Sequence, residues 1–168
     1  MASTDRELLR HFLAAIAYRA QKSLRGAPPE YSEFSAGGRT RTPVEILRHM
    51  TSVLGYARTF FIGGSYPRRP EPLPTFAGEI ERFHAMVAEV GAFLAAETPL
   101  LGISTFQLLQ GPLADVMTHV GQLALLRRLA GVPVAPENFL FADMRPDQLG
   151  SELPLPAHPD AEWPERPL

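Results

Sequence analysis

Residues 105–126, TFQLLQGPLADVMTHVGQLALL, contain one formally charged side chain, Asp115, and one histidine, His119, four positions later. A helix this apolar around its circumference belongs inside a bundle of other helices. A carboxylate and an imidazole placed in such an interior are costly unless they pair or coordinate something. The segment therefore constrains the fold and at the same time marks a place where chemistry is expected.

Three further stretches carry helical spacing of apolar residues. The first spans residues 4–24, where Thr4 and Glu7 have capping-box spacing and Gly26 with Pro28-Pro29 ends the run. The second opens on Thr42-Pro43-Val44-Glu45, an N-cap, a proline at the first helical position and a capping-box acid, and runs to Gly63-Gly64. The third covers residues 75–97. The fourth, extended to residues 105–130, ends at Gly131 with Arg127 and Arg128 in its last turn, where positive charge suits the helix dipole.

Polar or Pro-rich connections at 26–41 and 66–74 carry turn and breaker residues rather than strand patterns. The expected fold is all-α, a four-helix bundle over residues 1–145. Its loops are long enough for crossovers other than a simple up-down ring. Eight of the 17 prolines lie between Pro133 and Pro167. Residues 146–168 are accordingly expected to be a mostly irregular Pro-rich tail, wrapped on the same domain or disordered.

The chain holds no cysteine, which removes disulfides, thiolate metal sites and cysteine nucleophiles. A net charge of −2 gives no global reason to bind nucleic acid or an anionic membrane, and the Arg68-Arg69 and Arg127-Arg128 pairs are too short to change that. No secretory h-region follows the first residues and no long uncharged apolar run suggests a membrane span, so a cytoplasmic location is expected.

On an ideal helix Asp115, His119, Gln122 and Leu126 fall within roughly 60° of one another, beside an apolar arc of Leu109, Val116, Val120 and Leu123. Asp115 and His119, at i and i+4, can reach one point, and a carboxylate with an imidazole suits a first-row divalent cation. His49 shares a stripe with Ile46, Val53, Tyr56 and Phe60 and so is expected to face the bundle. His49, Asp115 and His119 would make three protein ligands with positions left open for water or substrate. The competing reading is a buried structural Asp–His pair. His84 is the best candidate for an additional ligand, and His11 reads as structural or exposed. His158, in the tail, reads as solvated. Gln122 and Tyr56 are candidates to support the ligands or contact substrate.

The stretches TPVEILRHMTSVLGYA around His49, ADVMTHVGQLALLRRLAGVPV around His119 and ENFLFADM after it resemble the DinB/YfiT-like superfamily of metal-dependent four-helix bundles. With the helix pattern, the resemblance covers most of residues 4–144. It implies one ligand histidine from the second helix and two, at i and i+4, from the last long helix. His49 and His119 match the first and last of these, and Asp115 stands where a histidine would commonly sit. The substitution gives a two-His-one-carboxylate set or a weakened site. Zn, Ni, Mn and Fe all suit these donors. The resemblance further implies a homodimer and, by analogy with thiol-dependent transferases and isomerases, a low-molecular-weight thiol cofactor. The enzyme expected is a metal-dependent transferase or hydrolase acting on a small electrophilic molecule. The alternative is a non-catalytic ligand-binding or stress-response bundle.

Overall fold

Cap chemistry sets the helix starts in the computed structural model, which describes residues 4–152. The first helix, α1, is Thr4–Leu24. Thr4 is already helical there, so it does not take the N-cap position that its spacing from Glu7 suggests. A long connection with a short 3₁₀ turn, Pro29–Glu33, leads to α2, Pro43–Ile62. There Thr42 accepts from the Glu45 amide and Glu45 Oε2 accepts from the Thr42 amide at 2.9 Å. Both halves of the capping box are therefore made, with Pro43 at the first helical position. Helix α3 is Phe76–Ala95, capped by Thr75, whose hydroxyl accepts from Gly78 N at 3.0 Å.

The last long segment is not one uninterrupted α-helix. It begins as α4, Thr105–Leu108, under a Ser104–Gln107 capping box, passes through a π-helical turn, Leu109–Leu113, and continues as α5, Ala114–Leu129. Pro112 lies inside the π turn. Its ring would clash with the carbonyl four residues earlier and it has no amide to donate, so the helix widens there. The extra residue shifts the phase of everything before it by one position. Leu108 is consequently fully buried and packs with the core, whereas Leu109, expected on the stripe of Val116, is only partly buried.

The four long helices form an all-α bundle in which α1 packs on α3 and α5, and α2 packs on the same two. Helices consecutive in sequence at the start, α1 and α2, therefore stand on a diagonal, which the long 25–42 connection spans. The core runs through Leu13, Ile16, Leu47, Met50, Phe83, Val87, Val116 and Leu123. Tyr31, in the loop read from sequence as polar, is also fully buried, and its hydroxyl donates to Leu123 O at 2.7 Å. Leu149 joins the core as well, so the chain packs on the bundle beyond the expected limit at residue 145. Among the described residues there is no β-strand, and no helix is long and apolar enough to cross a membrane. The remainder of the Pro-rich tail and His158 lie outside the described residues.

The loop after α2 folds back onto that helix. Ser52 Oγ donates to Pro67 O at 2.8 Å, and the Tyr66 ring fills the notch left by Gly55. A Cβ on Gly55 would stand 2.2 Å from Tyr66 Cδ1. Gly→Ala inside a helix ordinarily gains about 0.5–1 kcal/mol. Here overpacking reverses the sign, and Gly55→Ala is expected to lose about 1–2 kcal/mol, within the range for added methylenes in packed sites. Thermal denaturation beside Gly121→Ala, whose Cβ would meet nothing within 4 Å, checks it. Equal melting temperatures for the two variants would show that Tyr66 does not need the notch.

Candidate metal centre

Helices α2 and α5 pack side by side and bring His49 and His119 together. Their rings meet edge to face, with centroids 4.7 Å apart and planes at 84°. Asp115 lies one turn before His119 and presents one oxygen to each imidazole. Oδ1 is 3.5 Å from His119 Nε2, and Oδ2 is 4.0 Å from His49 Nε2. One ligand atom from each of the three residues lies within 4.8 Å of the others. Two donors on one cation at about 2.0–2.2 Å stand roughly 3.0–3.4 Å apart, so a small contraction would close the set.

The second nitrogen of His119 decides the electrostatics. Nδ1 stands 2.7 Å from Gln122 Oε1, which can only accept, so Nδ1 carries a hydrogen. A neutral His119 then leaves Nε2 as an acceptor, 3.5 Å from Asp115 Oδ1. A cation or a second proton between these two acceptors would bridge them. His49 favours the neutral form: burial depresses its pKa, Arg41 and His119 add to the effect, and Asp115 opposes it. A neutral imidazole is the form that binds a metal.

The burial of the three differs from the sequence expectation. His119 is buried, His49 sits at the bundle edge with 30% of its side chain exposed, and Asp115 is half exposed at 49%. Asp115 is therefore not an interior carboxylate. Its helix is an outer member of the bundle, with a solvent arc through Asp115, Thr118, Gln122, Leu125 and Leu129. The small number of charges on that arc made the segment look buried all round. The consequence for chemistry is an opening: the carboxylate side of the cluster faces water.

Gln122 takes its expected supporting place on His119. Tyr56 does not join the cluster. It is exposed, packs edge-on against Phe60, and lies about 10 Å along α2 from His49. His11 is exposed. His84 does not join the cluster, whose ligand atoms come from His49, Asp115 and His119; it is fully buried, with Nδ1 3.0 Å from Leu149 O. No sequence signal pointed to Arg41, whose charge reaches His49 from the preceding loop.

Comparison with protein-family models, curated proteins and solved structures returns no match.

His84 gives the chain a pH dependence. Its Nε2 is buried without a hydrogen-bond partner among the described residues, and burial lowers its pKa below the ordinary 6.5. The unfolded chain therefore binds the proton at a higher pH than the folded one. Stability is complete above about pH 6.5 and falls as pH drops toward the lower folded value, by at most about 1.4 kcal/mol per pH unit for one group. His49 shifts in the same direction and adds to the slope. Melting temperatures from pH 8 to 5 should decline in the wild type and decline less in His84→Asn. Parallel profiles would show that His84 carries no such linkage.

Proposed function

We propose that this chain is a divalent-metal-dependent enzyme, a thiol-dependent transferase or hydrolase acting on a small electrophilic substrate, as its resemblance to the DinB/YfiT-like superfamily implies. The observation that carries the reading is the grouping of His49, Asp115 and His119 ligand atoms within 4.8 Å, with Gln122 on the opposite nitrogen of His119. His49 and His119 would bind through Nε2, and Asp115 would supply a carboxylate that offsets one unit of the cation's charge. When bound, the cation supplies Lewis acidity that lowers the pKa of a coordinated water or thiol. Gln122 fixes the His119 ring and its tautomer, an orienting role typical of partners behind metal-binding imidazoles. The exposed side of Asp115 leaves room for a substrate to approach from solvent. Leu125 and Leu129, both about half exposed on α5, support pairing with a second copy of the chain.

The competing arrangement is an imidazolium. A doubly protonated His119 could donate to Gln122 and Asp115 together, giving a structural pair in a non-catalytic bundle; the half-exposed Asp115 favours this, since the pair would remain solvated. Elemental analysis of tag-free protein after loading with Zn, Ni, Mn or Fe separates the two. Near one ion per chain supports the enzyme. No retained metal under any loading condition favours the structural pair.

A further inference from the structure

Helix α5 has a second functional face. Ala124 lies about 180° round the helix from Asp115 at 100° per residue. On that side α1, α5 and the strap 133–140 enclose a groove of about 1090 Å³. Its lining is largely apolar, with Met117, Val120 and Ala124 from α5 and Val134, Pro136 and Leu140 from the strap. That volume is at the upper end for small-molecule sites.

The charges around the groove are unequal in what they have left to offer. Glu137 is the one carboxylate in the lining, and it is fully engaged. Tyr18 Oη donates to Oε1 at 2.5 Å, and Lys22 Nζ donates to Oε2 at 2.6 Å, with no Glu137 side-chain surface exposed. This pair closes the base of the strap and cancels Lys22. Two guanidinium groups remain, one from each helical wall. Arg19 on α1 sits over the Phe139 ring, 3.8 Å from its centroid; it feels the Glu137 charge but makes no side-chain hydrogen bond among the described residues. Arg128 on α5 is exposed and has no carboxylate or carbonyl partner among the described residues. Three cations against one carboxylate leave the groove at +2.

The strap is also built to present an apolar lip. Asn138 caps its 3₁₀ turn, Phe139–Phe141, by accepting from Leu140 N at 3.1 Å. That ordered turn holds Leu140 outward at 81% exposure, although it lines the groove. An apolar side chain fixed in water at the mouth of an apolar groove gains burial only when something occupies the groove.

We propose that this groove binds an elongated apolar monocarboxylate of the fatty-acid class. Its chain would lie along the α5 and strap side chains, and its carboxylate would be taken by Arg128 and Arg19. Guanidinium groups match a carboxylate by paired N–H donors, and Arg19 is already oriented by the ring beneath it. A neutral ligand would leave Arg128 unanswered, and a cationic one would face a net positive wall.

Titration calorimetry of the full chain tests this with decanoate below its micelle threshold, 1-decanol and decylamine. Decanoate should bind saturably at one per chain, at least tenfold more tightly than either other probe. Arg128→Gln, at an exposed position, should weaken decanoate at least tenfold. Gly121→Trp should abolish binding by filling the groove from a position where a Cβ meets nothing within 4 Å. Chelator treatment should leave decanoate binding unchanged, which separates this groove from the metal centre. The proposal is overturned by absence of saturable decanoate binding, by equal affinity for decanol or decylamine, or by an unchanged Arg128→Gln. Full binding in Gly121→Trp, or loss with chelator, would equally place the ligand elsewhere.

Discussion

His119→Ala is expected to lose stoichiometric metal while keeping its helical circular dichroism, and His49→Ala is expected to do the same. Each substitution removes one of two imidazole donors and leaves too few ligands for a stable site. Gln122→Ala should show a graded result. It leaves all three donors in place but frees the His119 ring, and loss of such a supporting partner lowers metal affinity about 10–100-fold. Asp115→His replaces the carboxylate donor by a third imidazole and is expected to retain metal. Competition with a chelating dye gives the affinities, and elemental analysis gives the stoichiometry. Full metal content in both alanine variants would sink the assignment of the site. An unchanged affinity in Gln122→Ala would show that the 2.7 Å contact with Nδ1 does not orient the ligand.

The His49–Asp115–His119 grouping was legible in sequence because both of its requirements are local or nearly so. Asp115 and His119 are one helical turn apart, and His49 follows an unambiguous helix start at Thr42-Pro43 whose phase carries down the helix. Helix ends were legible for the same reason, since capping uses residues within three positions of each other. The errors came from properties that a periodic pattern does not encode. Apolar residues at helical spacing do not reveal which arc of α5 faces a neighbour, so Asp115 was read as interior when it is half exposed. Pro112 was visible, but whether a proline kinks, ends or widens a helix depends on the packing around it. The π turn moved the buried position from Leu109 to Leu108. Tyr31 and His84 are placed by partners far away in sequence, the Leu123 and Leu149 carbonyls. The groove needs three separated segments and has no linear signature at all.

Glu79→Ala is expected to be among the most damaging substitutions away from the metal centre, and a second Glu–Arg pair on the same two helices supplies its control. Arg48 to Glu79 and Arg58 to Glu89 are both α2–α3 ion pairs, each separated by 31 residues. In sequence they are equivalent. In the structure the Glu79 side chain is fully buried, while Glu89 retains 38% exposure. The Pro-rich loop after α2 makes the difference by closing over Glu79. Its carboxylate accepts from Arg48 Nε at 2.9 Å and from the Leu73 amide at 2.9 Å, and it pairs with Arg82 as well. Removing a buried partner of this kind costs about 3–5 kcal/mol. Arg48 and Arg82 keep about a fifth of their side-chain surface in water, so the lower end, about 3 kcal/mol, is expected here. That corresponds to a fall in melting temperature of about 6–12 °C for a chain of this size. Glu89→Ala should cost about 1 kcal/mol or less. Equal losses would show that burial adds nothing to the Glu79 clamp. The clamp also bears on function, because Arg48 immediately precedes His49. Holding Arg48 to α3 fixes the rotation of α2 and with it the direction in which His49 meets His119. Glu79→Ala should therefore weaken metal binding at temperatures where the variant is still folded, whereas Glu89→Ala should not.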